Sequence, residues 1–134
     1  MPRWIPKSAI IAMHGELMAE HGGLSAPVNK VSLDSTLARP QQLDNYGNPP
    51  PDIFQLAASY GFGFAKNHCF KDGNKRISLV AIDVFLALNG YELNAVETNA
   101  VFTIESLAAG NISEKSLSLW IKENINLIKF LYAK

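Results

Sequence analysis

Apolar residues recur at helical spacing through most of the chain. Ile10, Ile11, Met13, Leu17 and Met18 mark a first stripe, with Ser8 as its expected cap and Gly22-Gly23 as its stop. A shorter helix is expected over residues 34–39, ended by Pro40, because a proline pushes the residue before it out of the helical region. Residues 43–51, with Tyr46-Gly47-Asn48 ahead of three prolines, read as an irregular loop. Asp52 then caps a helix whose residues Ile53, Leu56, Ala57, Tyr60 and Phe64 share one face. Gly61 and Gly63 inside it each cost about 1 kcal/mol relative to alanine, a cost that a close helix crossing would offset.

Residues 77–89 are apolar nearly all round, the pattern of a helix surrounded by others, and Asn89-Gly90 closes it. A helix over residues 98–108 is expected to bury Val101, Phe102, Ile104 and Leu107 and to end at Gly110. Ser113 caps another carrying Leu117, Trp120 and Ile121, with a last turn or two expected through Leu127, Ile128 and Leu131. Strand signals are scarce. The expected fold is all-α, a compact helical bundle around the central apolar helix 77–89, and residues 1–134 have the length of one domain.

Twelve Lys and Arg balance twelve Asp and Glu, which argues against direct DNA binding, since non-specific affinity for a duplex comes largely from pairing cations with phosphates. Cys69 is the one cysteine and no secretion signal is evident, so a reducing, cytoplasmic setting is expected. No membrane partner is expected either. The longest apolar stretch, residues 77–88, is too short to span a bilayer and carries Asp83.

Polar and charged residues crowd into one short connection, His68-Cys69-Phe70-Lys71-Asp72-Gly73-Asn74-Lys75-Arg76. Asp72-Gly73 is a turn signal and Asn74 a good cap for the next helix. Lys75 and Arg76 then fall in the first turn, beside the positive end of the macrodipole, where anionic side chains are normally preferred. Two cations next to free backbone N–H groups make electrostatic sense if a phosphate binds there. Asp72 would oppose a bare anion but suits one that arrives with Mg²⁺, which takes one or two carboxylates and completes its shell with phosphate oxygens and water. A nucleoside triphosphate meets both demands. His68 has the chemistry of a general base near neutral pH, Phe70 that of a buried peg, and Gly73 lets backbone approach phosphate. Each residue alone has an ordinary structural explanation, and only the combination is informative. His14 and His21 lack such a setting and default to structural roles, and no metal-ligand spacing, serine triad or dinucleotide fingerprint is present.

The segment HCFKDGNKR resembles the signature loop of the Fic/Doc family, H-x-F-x-[D/E]-[A/G]-N-[G/K]-R, which lies between two helices of an all-α core. Weaker matches extend the resemblance to Ile10-Ile11-Ala12-Met13-His14 with Gly22-Gly23, to the stretch from Asp34 through Pro40, to Phe85-Leu86-Ala87-Leu88-Asn89-Gly90, and to Leu107-Ala108-Ala109-Gly110. The resemblance implies transfer of a phosphate-containing group from ATP to a Ser or Thr hydroxyl of a target protein. It implies His68 as general base, Asp72 as the Mg²⁺ carboxylate, Gly73, Asn74, Lys75 and Arg76 as phosphate holders, and Phe70 as the loop anchor.

Within the family, AMP-transferring enzymes carry glycine where this chain has Lys75, and a second arginine where it has Leu79. Both departures are similar to the Doc branch, whose toxins act as protein kinases on elongation factor Tu; Gly73, where Doc has alanine, points the other way. Kinase action is therefore the favoured expectation, with AMP transfer or an inactive binding module as alternatives. Self-inhibited members carry [S/T]-x-x-x-E-[G/N]; here Glu123-Asn124 follows Leu119, and the pattern fails. The resemblance then implies an antitoxin acting in trans, a disordered tail folding into a groove between helices.

Overall fold

Asp52 is realised as half of a capping box: its carboxylate accepts the Gln55 N–H at 2.7 Å, and the Gln55 side-chain oxygen accepts the Asp52 N–H at 2.8 Å. The structure, a computed structural model, describes residues 1–23 and 26–128. Six helices and two short strands follow in order: α1 (Lys7–His21), α2 (Lys30–Tyr46), α3 (Ile53–Lys66), α4 (Asn74–Leu88), β1 (Tyr91–Leu93), α5 (Glu97–Ala108), α6 (Glu114–Glu123) and β2 (Ile125–Leu127). The fold is helical, as the periodicity predicts.

The hub, however, is α3 and not α4. Helix α3 packs against α2, α4, α5 and α6, and its residues from Leu56 through Gly61 are all buried, as are Gly63, Phe64 and Ala65. Helix α4 buries Ile77, Ser78, Ala81, Ile82, Phe85 and Leu86 but leaves Asp83, Ala87 and Leu88 exposed. The two glycines of α3 explain why it can be surrounded. A Cβ at Gly61 would lie 2.5 Å from Ile82 Cδ1 of α4, and one at Gly63 would lie 2.8 Å from Thr36 Cγ2 of α2. At the first crossing the Ser78 hydroxyl donates to the Gly61 carbonyl at 2.6 Å.

Three helix boundaries differ from expectation. Helix α1 is capped by Pro6, whose carbonyl accepts from the Ala9 and Ile10 N–H groups, and Ser8 falls inside the first turn. Helix α2 does not stop at Pro40; it starts after Asn29, which caps the Ser32 N–H at 3.0 Å, and runs through the proline to Gly47. The ring removes one helical hydrogen bond and crowds the preceding turn, together costing about 3 kcal/mol or more. Pro40 is buried with Leu33 and Thr36 on the face toward α3, and packing of that face offsets the loss. The irregular connection is accordingly shorter than expected. Helix α4 begins at Asn74 after a Gly73 cap in the left-handed region (φ 79°), so Asn74 is its first residue and not its cap.

Toward the C-terminus, α5 buries Ala100, Thr103, Ile104 and Leu107 and leaves Val101 and Phe102 exposed, contrary to their expected burial. Ser113 caps α6 by accepting the Ser116 N–H at 3.0 Å. Where a last turn is expected, Leu127 instead ends strand β2, which pairs antiparallel with β1 in the register Tyr91↔Leu127, and Ile128 follows it outside any element. Leu131 lies outside the described residues. Among the described residues no helix is long and apolar enough to cross a membrane.

Candidate active site at the start of helix α4

The connection between α3 and α4 is tied down residue by residue. Helix α3 ends at Asn67, whose side-chain amide donates to Thr36 Oγ1 at 2.8 Å. Cys69 is fully buried, with Sγ 3.3 Å from Thr36 Oγ1, and its carbonyl accepts the Asn29 N–H at 2.8 Å. Burial raises the Cys69 thiol above its ordinary range, so it stays protonated and unreactive. Phe70 is 6% exposed. The Asn74 amide clips this residue on both sides, accepting its N–H at 3.1 Å and donating to its carbonyl at 2.8 Å.

Between these fixed points the chemical groups are turned outward. His68 is exposed and has φ 50°, the only positive φ at a non-glycine among the described residues. Such a conformation is unfavourable for a side chain with a Cβ and persists because the neighbours on both sides are anchored. Asp72, Lys75 and Arg76 are likewise exposed. The Gly73 N–H donates to Asp72 Oδ1 at 2.8 Å.

All of these groups meet in one cleft of about 720 Å³, lined by His68, Lys71, Asp72, Gly73, Asn74, Lys75 and Arg76 from the connection and α4, by Lys66 of α3, and by Glu105 and Ala108 of α5. Cations outnumber carboxylates in it. Helix α4 has no side-chain cap and no acid in its first turn, and its first intrahelical bond is Ile77 N–H to the Gly73 carbonyl. The N–H groups of Asn74, Lys75 and Arg76 therefore precede the helical ladder, at the positive pole. Among the described residues neither Lys75 nor Arg76 forms an ion pair. Chemically the cleft can hold a polyanion, accept a proton at His68, and offer the Asp72 carboxylate to a hard cation.

The Fic/DOC family model matches residues 4–86, more than half of the chain. The chain belongs to the Fic/DOC family. It is 29% identical over 116 residues to "Protein kinase doc" of Escherichia phage P1, covering 87% of this chain and 90% of that protein. It is also 36% identical over 85 residues to "Toxin Doc" of Mycolicibacterium smegmatis, covering 63% of this chain and 59% of that protein.

In this Fic/DOC chain the signature residues share the cleft, except Phe70, which lies beneath it as a core residue. Asn74 lines the cleft, but its side chain is engaged with Phe70, leaving its backbone N–H as the group directed to the helix pole. His14, expected to be structural, is buried as that reading implies, but its contact with the signature loop was not foreseen. Its ring stacks on Phe70 with centroids 3.7 Å apart and planes 10° from parallel, and its Nε2 lies 2.7 Å from the Asp72 carbonyl. The signal available was its place in the α1 stripe four residues before buried Met18.

Proposed function

We propose that this chain is the toxin of a toxin–antitoxin pair, a cytoplasmic protein kinase that transfers the γ-phosphate of ATP to a Ser or Thr hydroxyl of a target protein, with a translation elongation factor as the target class. The observation that carries this reading is the α4 start: an uncapped helix pole bearing Lys75 and Arg76, opening on a cleft shared with His68 and Asp72. The name of one relative, a protein kinase, supports the reaction class, and that of the other, a toxin, supports the toxin role.

In this mechanism the amides of Asn74, Lys75 and Arg76 and the two cationic side chains hold the triphosphate and neutralise charge as it shifts toward the leaving diphosphate. His68 takes the proton of the target hydroxyl as its oxygen bonds to the γ-phosphorus; the bond from that phosphorus to the bridging oxygen breaks, and ADP leaves. Asp72 fits a magnesium ion that arrives with the nucleotide: it is an exposed hard-oxygen donor lining the same cleft as Lys75 and Arg76. When bound, magnesium would neutralise phosphate oxygens and fix their orientation.

Lys75 lines the cleft where a glycine would leave bare backbone, which favours γ-phosphoryl over AMP transfer. Glu123, at the far end of α6, is not among the residues that line the cleft, and restraint by an antitoxin chain is part of the same proposal. A neighbouring groove of about 470 Å³ shares Lys75 and Arg76 with the cleft and is walled by Leu17, Leu79, Val80 and Val101, offering that chain an apolar seat.

Incubation with a candidate target and ATP labelled at either the α or the γ position tests the proposal. Label from γ-ATP enters the target, and His68→Ala lowers that transfer by about 10²- to 10⁴-fold. Label from α-ATP would assign AMP transfer, and label from neither, with no binding of Mg-ATP, would leave a binding module.

A further inference from the structure

Helix α1 reaches the phosphate-binding loop from behind, and the contact is polar as well as apolar. His14 is 9% exposed, lies flat on Phe70, and holds Nε2 at 2.7 Å from the Asp72 carbonyl oxygen. One turn later Met18 fills the space under Gly73, where a Cβ would sit 2.4 Å from its terminal methyl carbon. Gly23 closes the wall: a Cβ there would meet Met18 Sδ at 2.1 Å and Asp72 Oδ2 at 3.2 Å. Gly23 is thus more than part of a helix stop, since a side chain there would press on the Asp72 carboxylate.

We propose that His14 is a positioning residue for this loop, acting through the Asp72–Gly73 peptide group to orient the Asp72 carboxylate. A carbonyl can only accept, so His14 donates from Nε2–H, which fixes its neutral form as the Nε2–H tautomer. The peptide unit is planar and trans, so its C=O and N–H point in opposite directions. Its inward end is held by His14 and its outward end, the Gly73 N–H, donates to Asp72 Oδ1. Fixing the first therefore aims the second, and with it the carboxylate. The stack on Phe70 sets the depth of the same loop, whose other side the Asn74 clip holds.

This inference rests on the proposed role of Asp72 toward a magnesium-bound nucleotide, and two variants of the full-length chain separate its parts. His14→Phe keeps the stack and deletes the donor, whereas His14→Gln keeps an N–H donor and deletes the ring. With ATP as the probe, His14→Phe weakens binding in the presence of Mg²⁺ by about tenfold, the value of one buried hydrogen bond, and leaves Mg²⁺-free binding unchanged. His14→Gln restores most of the Mg²⁺-dependent affinity. A merely structural role would weaken both measurements together, and that result, or an unchanged affinity in His14→Phe, overturns the proposal. Long-range ¹H–¹⁵N correlation on the wild-type chain gives a readout that does not depend on folding of a variant: the Nε2–H tautomer supports the assignment, and Nδ1–H overturns it. If wild-type protein binds no Mg-ATP, the proposed function fails by itself. The tautomer, with faster amide exchange across residues 70–76 in His14→Phe, still decides whether His14 holds the loop.

Discussion

Two helix starts in this molecule solve the same electrostatic problem in opposite ways. Helix α6 has Ser113 as its cap, Glu114 in its first turn, and Arg39 forked onto Glu114 through contacts of 2.8 and 2.6 Å, with the guanidinium also 4.8 Å above the centre of the Phe62 ring. Glu114 agrees with the dipole and is paired with Arg39, and only Lys115 in that turn stands against it. Helix α4 has a left-handed glycine for a cap, no acid in its first turn, and Lys75 and Arg76 at the positive pole. The chain can therefore build a conventional start. Helix α1 also lacks a side-chain cap and a first-turn acid, but its Lys7 is paired with Asp34 at 2.6 Å, whereas among the described residues neither Lys75 nor Arg76 has an ion pair. Stability accounts for the first arrangement, and binding of an anion is the reading that accounts for the second.

Charge reversal at the α4 pole tests this contrast most severely. Arg76→Glu should improve the helix start, raising stability by about 0.3–1 kcal/mol or leaving it unchanged, because an acid in the first turn suits the dipole. The same variant should weaken Mg-ATP binding by about 10²-fold or more, since a charge-assisted contact is lost and a repulsion gained. Thermal unfolding and calorimetric titration read the two effects separately. Retained binding, or a marked loss of stability, would show that Arg76 serves the fold.

Glu114→Gln is the mirror experiment. It preserves shape but removes the charge facing Arg39, with side chains 37% and 28% exposed for Arg39 and Glu114 respectively. Partial solvent screening limits the cost to about 1 kcal/mol, a loss that shrinks as salt is added. Mg-ATP affinity should not move, because Glu114 lies on the Arg39 side of the bundle and is not among the residues that line the cleft. A variant that loses nucleotide binding would mean that the two starts are coupled through α3.

How far these features were legible follows from how local they are. The Asp52 capping box, the Ser113 cap, the Gly61 and Gly63 crossings and the cations after Gly73 all announce themselves within a few residues. Pro40 misleads because its local penalty is real, and only the burial of Leu33, Thr36 and Pro40 against α3 outweighs it. The β1–β2 pair was illegible, since Tyr91 and Leu127 supply no signal until the bundle brings them together. Val101 and Phe102 are apolar, yet they sit at surface grooves, which periodicity does not distinguish from a core. His14 shows the same limit at the site: the helical stripe accounts for its burial, but its partner is 58 positions away.

The smallest effect comes from Asp83, which shares α4 with the cationic pole and so asks how local that pole is. Although the Asp83 side chain is exposed, desolvation by the protein around it, followed by the like charge of Glu92, pushes its carboxyl above the ordinary value of 3.8. The folded chain thus holds this proton more tightly than the unfolded one. The resulting stabilisation is fully present below 3.8 and is lost as pH rises through the raised folded value, leaving a net penalty at neutral pH. Solvent screens this exposed side chain, so Asp83→Asn should stabilise the protein at pH 7 by at most a few tenths of a kcal/mol, with the gain fading toward acid. Seven residues of helix separate Asp83 from Arg76, about 10 Å, close to the screening length in ordinary buffer. Mg-ATP affinity should accordingly stay within about twofold of wild type. A larger change would mean that the nucleotide senses the charge of the whole helix, and the contrast between the two helix starts would lose its local basis.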